Sequence, residues 1–248
     1  MSILKEIVKN TRSKIILRKA ERSLDAIQQI LKESEIPKGS FKDSLKDKDE
    51  AIIAEIKKAS PSAGIIAPDF NPIQKAKDYE AFGASALSIL TEEDFFMGSM
   101  QYLQDVKAVT SLPILRKDFM IDEYQIYESK LIGADCILLI AAILSDQQIS
   151  NFVEIAEILE LDYLIEVHDE HELKRIENFE GALIGVNNRN LKTFDVDIDT
   201  SVRLRRAFHK NNIFVAESGI QSKGDLDYLK DNNINVFLIG ESLMRGNF

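Results

Sequence analysis

The run Ala54-Glu55-Ile56-Lys57-Lys58-Ala59-Ser60-Pro61-Ser62-Ala63-Gly64 concentrates groups that could do chemistry. It follows the apolar residues Ala51-Ile52-Ile53, so a carboxylate and two ammonium groups arrive where a buried strand should be ending. Glu55 and Lys57 share parity, and on a strand their side chains point the same way. Lys and Glu are almost never buried without a partner. An inward-facing pair therefore implies a polar site, with a solvated edge strand as the alternative. Ser60-Pro61-Ser62-Ala63-Gly64 then breaks the strand into a loop of small donors.

Similar groups end other apolar runs: Arg116-Lys117-Asp118-Phe119, Glu166 with His168, Asn187-Asn188-Arg189, Glu217-Ser218-Gly219 and Gly240-Glu241-Ser242. They offer ammonium groups to donate protons, carboxylates to accept them, and glycines whose backbone amides can approach an anion closely. Leu138, Ile140 and the loop Phe95-Phe96-Met97-Gly98-Ser99 supply apolar walls. Polar ends between apolar walls describe a pocket for a partly apolar anion. Two other patterns are set aside. His168-Asp169-Glu170-His171 has a metal-like spacing but no third ligand group, and Asp169 with Glu172 reads as a helix capping box. Ser60-Pro61-Ser62 lacks a histidine base for a serine nucleophile.

The elements that must position these groups are short apolar runs recurring at intervals of about 20 to 35 residues. They are 51–56, 86–90, 113–116, 135–140, 163–167, 182–187, 213–217 and 236–240. Continuous rather than alternating apolar runs are what fully buried parallel strands look like. Amphipathic stretches of helical period, such as 73–82, 123–131 and 149–159, fill the gaps. Eight such units predict an α/β fold, a single (β/α)8 TIM barrel over 51–248. A doubly wound sheet is the competing architecture, weakened because no G-x-G-x-x-G follows the first strand. Residues 1–48 form an N-terminal helical extension. Helix is expected from Ile3 to about Lys32, ended by Pro37-Lys38-Gly39, with another helical turn at Ser40–Lys46. It could plug the bottom of the barrel or cover part of the top rim.

The chain has 248 residues, 45% of them apolar, and a net charge of −10. That charge argues against nucleic acid and anionic membranes as partners, while a local cluster of Lys and Arg could still hold an anionic substrate. The single cysteine, Cys136, cannot form an intramolecular disulfide, which fits a reducing cytosol. Early charges at Lys5, Lys9, Arg12 and Lys14 interrupt any secretory signal. The longest apolar stretch, 136–144, is far short of the roughly 18 residues of a membrane span. A soluble cytoplasmic protein is expected.

In their order, these strand-end residues resemble the indole-3-glycerol-phosphate synthase family. The specific pieces are Glu55-Ile56-Lys57-Lys58-Ala59-Ser60-Pro61-Ser62, Pro113-Ile114-Leu115-Arg116-Lys117-Asp118-Phe119, Ile184-Gly185-Val186-Asn187-Asn188-Arg189-Asn190-Leu191, Ala216-Glu217-Ser218-Gly219-Ile220 and Phe237-Leu238-Ile239-Gly240-Glu241-Ser242-Leu243-Met244. The resemblance runs to about Arg245 and implies closure of 1-(2-carboxyphenylamino)-1-deoxyribulose 5-phosphate to indole-3-glycerol phosphate, losing carbon dioxide and water. It implies a sugar-phosphate substrate with an anthranilate ring, no cofactor or metal, and a monomer or weak homodimer. By similarity Lys117 matches the general acid, and Glu166 a carboxylate of the later dehydration. Glu55 and Lys57 match partners in acid–base work and orientation. Asn187 and Arg189 match the positions holding the substrate's carboxylate side, with Glu217 supporting the network. Ser60 falls among the substrate-binding positions, and Phe96, Phe119 and Leu138 on the ring pocket. Ser218, Gly219, Gly240 and Glu241, with Lys57 nearby, fall on the phosphate site. Where this chain has Glu241 some members carry Ser, so only its backbone amide should serve. Asn190 stands where Asp is common, and eight residues after Gly240 are too few for a full eighth helix.

A lysine acid working at neutral pH would want a lowered pKa, which Arg116 and Lys57 could provide and Glu55 or Glu166 would oppose. Two rival readings remain: a Schiff-base lyase or aldolase using a strand-end lysine, and a non-catalytic phosphate-binding barrel.

Overall fold

The structure, a computed structural model, describes residues 3–34, 38 and 40–248. Its strands are β1 (Ala51–Ile56), β2 (Ala59–Ser60), β3 (Gly64–Ile65), β4 (Ala86–Leu90), β5 (Ile114–Lys117), β6 (Cys136–Ile140), β7 (Asp162–Val167), β8 (Leu183–Asn187), β9 (Phe214–Glu217) and β10 (Val236–Ile239). Eight of them close into a parallel barrel in the order β1-β10-β9-β8-β7-β6-β5-β4, with β1 pairing both β10 and β4. Each of the eight expected apolar runs is a barrel strand, with ends differing by a residue. β2 and β3 form a small antiparallel hairpin, so the expected Ser60–Gly64 loop is a hairpin turn. The wall helices are α4 (Pro72–Phe82), α5 (Met100–Lys107), α6 (Glu123–Leu131), α7 (Asp146–Ile158), α8 (Glu170–Ile176), α9 (Asp199–Ala207), α10 (Lys223–Asp231) and α11 (Glu241–Met244).

Strand parity sorts the side chains. Ile53, Leu115, Leu138, Leu164, Leu183, Val215 and Leu238 fill the barrel interior, whereas Ile52, Leu87, Ile114, Ile137, Ile165 and Phe237 pack under the helices. Both faces of the barrel strands are buried, which is why the runs read as continuously apolar. Above the last apolar layer the inward positions turn polar, which places Glu55, Lys117, Glu166, Asn187 and Glu217 at the C-terminal mouth.

The N-terminal extension is two helices where one was expected, α1 (Ile3–Glu21) and α2 (Leu24–Glu33) in the chain-order series that begins at the N-terminus. Ser23 makes the break: its side chain accepts from the Ala26 N–H as an N-cap, and capping competes with helix continuation. Pro37 and Gly39, expected to end the helix, lie outside the described residues. The short α3 (Phe41–Leu45) is present as expected. Phe41 and Leu45 are buried with Ala51, Leu183 and Val236, the first inward residues of their strands, so α3 plugs the floor. Ile3, Leu4 and Ile7 of α1 instead line the cavity at the mouth. The extension therefore does both jobs held open by the sequence. At the other terminus α11 is one short turn, with buried Leu243 and Met244 and partly buried Phe248 covering the wall.

Candidate active site

Lys117 lies at the centre of the mouth. Its ammonium is 3.2 Å from Glu166 Oε2 and in closer contact with Glu217 Oε2. Glu55, near the end of β1, pairs with Lys57 just past that strand at 2.8 Å. Asn187 donates from Nδ2 to Glu166 Oε1 at 3.3 Å and accepts at Oδ1 from Ser218 Oγ and the Arg189 N–H. Glycines leave the room these side chains occupy. A Cβ on Gly185 would lie 2.3 Å from Glu217 Oε1, and one on Gly240 would lie 2.3 Å from Glu55 Oε2 and 3.1 Å from Lys57 Nζ.

The charges are unevenly satisfied. Burial alone would lower the pKa of Lys117, but Glu217, Glu166 and Glu55 more than reverse that and raise it. The expected lowering does not occur. Arg116 points to the opposite face of β5, and Lys57 is held by Glu55. Burial pushes Glu166 up, yet Lys117, His168 and Asn187 together hold it well below the usual carboxylate range. Glu217 goes the other way: burial and the neighbouring Glu166 push it up to about 7 despite Lys117. These carboxylates share one lysine, so their protons belong to the cluster rather than to either residue alone. The Oε1 of Glu217 is buried without a hydrogen-bond partner among the described residues.

Around this centre is a cavity of about 520 Å³. Phe96, Phe119 and Leu138 form its apolar side, the two rings 6.0 Å apart and tilted by 40°. On the far side it is lined by Ser218, Gly219, Gly240, Glu241, Ser60 and Arg189. Gly219 has φ +82° and a Cβ there would meet Val196 at 2.4 Å, so the turn requires glycine on both counts. The Glu241 carboxylate pairs with Arg245 at 3.0 Å, and both residues line the cavity. The cavity thus gathers Glu55, Lys57, Ser60, Phe96, Lys117, Phe119, Leu138, Glu166, Asn187, Arg189, Glu217, Ser218, Gly219, Gly240 and Glu241, whereas Arg116, His168 and Asn188 of the wider strand-end set do not line it.

A family model for indole-3-glycerol phosphate synthase matches residues 4–247. This chain belongs to that family. Its activity is that of a decarboxylating lyase of tryptophan biosynthesis. Indole-3-glycerol phosphate synthase from Ruminiclostridium cellulolyticum is 52% identical over 206 residues, 83% of this chain and 79% of that protein. The protein of the same name from Acinetobacter baylyi is 46% identical over 245 residues, 98% of this chain and 91% of its own length. Among solved structures, N-acetylmannosamine-6-phosphate 2-epimerase from Clostridium perfringens superposes with a TM-score of 0.63 at 14% identity, covering 82% of this chain and 90% of that one. The tryptophan synthase A-subunit from Pyrococcus furiosus gives 0.58 at 14% identity, covering 79% and 89%. At that identity the structural likeness speaks for the barrel alone.

Glu92 escapes sequence reasoning at this synthase-family site, as does the bracing role of Asn188 within its strand-end run. Glu92 is buried and accepts from the backbone N–H groups of Asp94, Phe95 and Phe96, which fixes the loop that presents the Phe96 ring. Asn188 donates to Ser218 O at 3.1 Å and accepts from Ser201, so it braces the turn before Gly219. Glu92 stands in a run of acidic residues that reads as solvated surface, and no local signal marks it. Asp169 does cap α8 as expected, but Glu172 reaches past it to the His168 N–H, so the box is incomplete. His171 is exposed on α8 and does not join His168. Among the described residues no helix is long and apolar enough to cross a membrane.

Proposed function

We propose that this chain converts 1-(2-carboxyphenylamino)-1-deoxyribulose 5-phosphate to indole-3-glycerol phosphate, with Lys117 as proton donor and Glu166 as base. The ring carbon bearing the carboxylate attacks the ketone carbon, and the Lys117 ammonium protonates the ketone oxygen. Carbon dioxide then leaves, and the electron pair of its bond to the ring carbon stays in the ring, which regains aromaticity. The new hydroxyl then departs as water, taking a second proton, while Glu166 removes a proton from the methylene carbon beside nitrogen. Two protons are delivered and one is recovered, so each turnover draws one from solvent, matching the charge lost with the carboxylate.

The observation that carries this reading is the ammonium of Lys117 held between two carboxylates inside a partly apolar cavity. A raised pKa suits a donor to an oxygen that would otherwise become an alkoxide, a far stronger base than the lysine amine. It is wrong for an imine-forming lysine, which must be neutral to attack a carbonyl. Phe96, Phe119 and Leu138 suit the anthranilate ring, while Asn187 and Arg189 suit its carboxylate. Lys57, together with the backbone around Gly219 and Gly240, suits the phosphate.

The test is to add the carboxyphenylamino-deoxyribulose phosphate and follow indole fluorescence. Turnover without added metal or cofactor is expected. Borohydride added with substrate should leave the protein mass unchanged; a substrate-sized adduct on Lys117 would make the chain a Schiff-base enzyme instead.

A further inference from the structure

His168 lies just past the end of β7, one inward position beyond Glu166. Its Nε2 is 3.3 Å from Glu166 Oε1, and its Nδ1 is 3.1 Å from Glu172 Oε2 on the first turn of α8. Glu172 Oε2 also accepts the His168 backbone N–H at 2.9 Å, so one carboxylate holds both backbone and ring. Glu172 is fixed in turn, its own N–H bonded to Asp169 at 2.8 Å. The ring is thus hydrogen-bonded to Glu172 through Nδ1 and lies within ion-pair distance of Glu166 through Nε2, which makes no hydrogen bond among the described residues, and its side chain is 15% exposed. Glu217 has no such support: among the described residues Lys117 is its one ion-pair partner, and Oε1 goes unpartnered.

We infer that His168 is a positioning residue whose fixed positive charge keeps Glu166 ionised and aimed at Lys117, so that a proton entering the carboxylate pair settles on Glu217. The inference rests on the synthase reading, in which Glu166 must begin dehydration as a base. Burial would discharge the imidazole, but the Glu166 and Glu172 carboxylates outweigh burial and push its pKa up to about 10. His168 therefore remains a cation across the working range instead of switching near its ordinary value.

The surroundings do not supply a substitute charge. Toward the barrel, Glu166 meets Lys117, which is shared with Glu217 and also faces Glu55. Toward the outside, His168, Asp169 and Glu172 line a second cavity of about 830 Å³. Lys5, Arg189, Lys192 and Arg203 line it along with Asp195 and Asp197, a mixture of both signs rather than a focused positive field. Within contact distance of Glu166, His168 is the cation not already claimed by Glu217.

His168→Asn removes the charge while keeping a polar side chain, and His168→Lys keeps a charge. With His168→Asn the two carboxylates become alike, and Glu166 takes a share of the proton as pH falls. We expect kcat about tenfold lower, of the order of one unit of pKa change in the base, with KM changed less than kcat. The loss should deepen between pH 8 and pH 6, a range where the wild type does not show that loss. His168→Lys should restore the flatter profile. Nitrogen NMR gives a reading independent of turnover: the His168 ring should remain doubly protonated at pH 8, while in Glu172→Gln it should lose its proton at lower pH. A wild type with no synthase turnover would refute the function reading. An active wild type would refute this inference alone if His168→Asn lowered kcat equally at all pH values, or if the His168 ring were neutral at pH 8.

Discussion

Arg116 and Lys117 are adjacent cations on β5, and each lies in a buried cluster with two carboxylates. The Arg116 guanidinium is completely buried on the helix side. It contacts Asp118 at 3.0 Å and Glu128 at 2.9 Å, with hydrogen bonds to Thr91, Ser129 and the Gln125 carbonyl. The cluster also reaches the N-terminal extension, since Arg18 of α1 lies 3.3 Å from Glu128. Lys117, one residue on, faces the barrel mouth with carboxylates on both sides and an oxygen of Glu217 unpaired. Saturated polar networks hold structure, whereas a buried group left unsatisfied needs another explanation, and here it is space for a substrate. Charge type does not distinguish the two clusters. Completion does.

Removing each cation should have the largest effect. Lys117→Ala should lower kcat by about 10² to 10⁴, with the barrel retained by circular dichroism. Arg116→Met should do the reverse, leaving buried Asp118 without its ion-pair partner and Glu128 with Arg18 alone, at a cost of about 3–5 kcal/mol. Denaturant unfolding would report that loss, and turnover per folded molecule should fall much less than in Lys117→Ala. Equal loss of turnover in two stably folded variants would erase the distinction.

Gly219→Asp probes the cavity wall away from both clusters. It forces a side chain into a left-handed turn and against Val196, and it adds an anion where phosphate is expected. KM should rise by at least about tenfold, the equivalent of 1.4 kcal/mol, together with a lower melting temperature from backbone strain. An unchanged KM would remove phosphate from this wall.

Glu217→Gln sharpens the contrast through pH. The folded protein holds the Glu217 proton more tightly than the unfolded chain does, so the stability linked to it is present below the ordinary glutamate range. That stability is lost as pH rises through about 7. Gln carries no such penalty. The melting temperature of Glu217→Gln relative to wild type should therefore climb between pH 5 and pH 8. A flat difference would mean Glu217 is ionised throughout.

The smallest effect is expected at Glu241. Its carboxylate is turned toward Arg245 on the exposed rim, and such pairs are worth about 0–1 kcal/mol. Glu241→Ser should shift KM by less than about fivefold on that scale. A larger drop in KM would show that the carboxylate turns toward the phosphate in solution.

The barrel was legible in the residues alone, because eight continuous apolar runs with intervening amphipathic stretches have few other ways to bury both faces of each strand. Parity also placed Glu55 with Lys57, and strand-end position placed Lys117, Glu166, Asn187 and Glu217 at one mouth. What they could not determine were relations across strands. Whether Arg116 or Lys117 faced the cavity depended on the register of β5, and a one-residue shift would exchange them. The break at Ser23 was a local competition between capping and helix continuation, and the double role of the extension depended on where α1 and α3 docked. The raised pKa of Lys117 arose only when Glu217, Glu166 and Glu55, up to 100 residues away along the chain, were brought around it. Burial and charge pairing act through space, so residue types can announce acid–base chemistry, but only tertiary structure decides which group holds the proton.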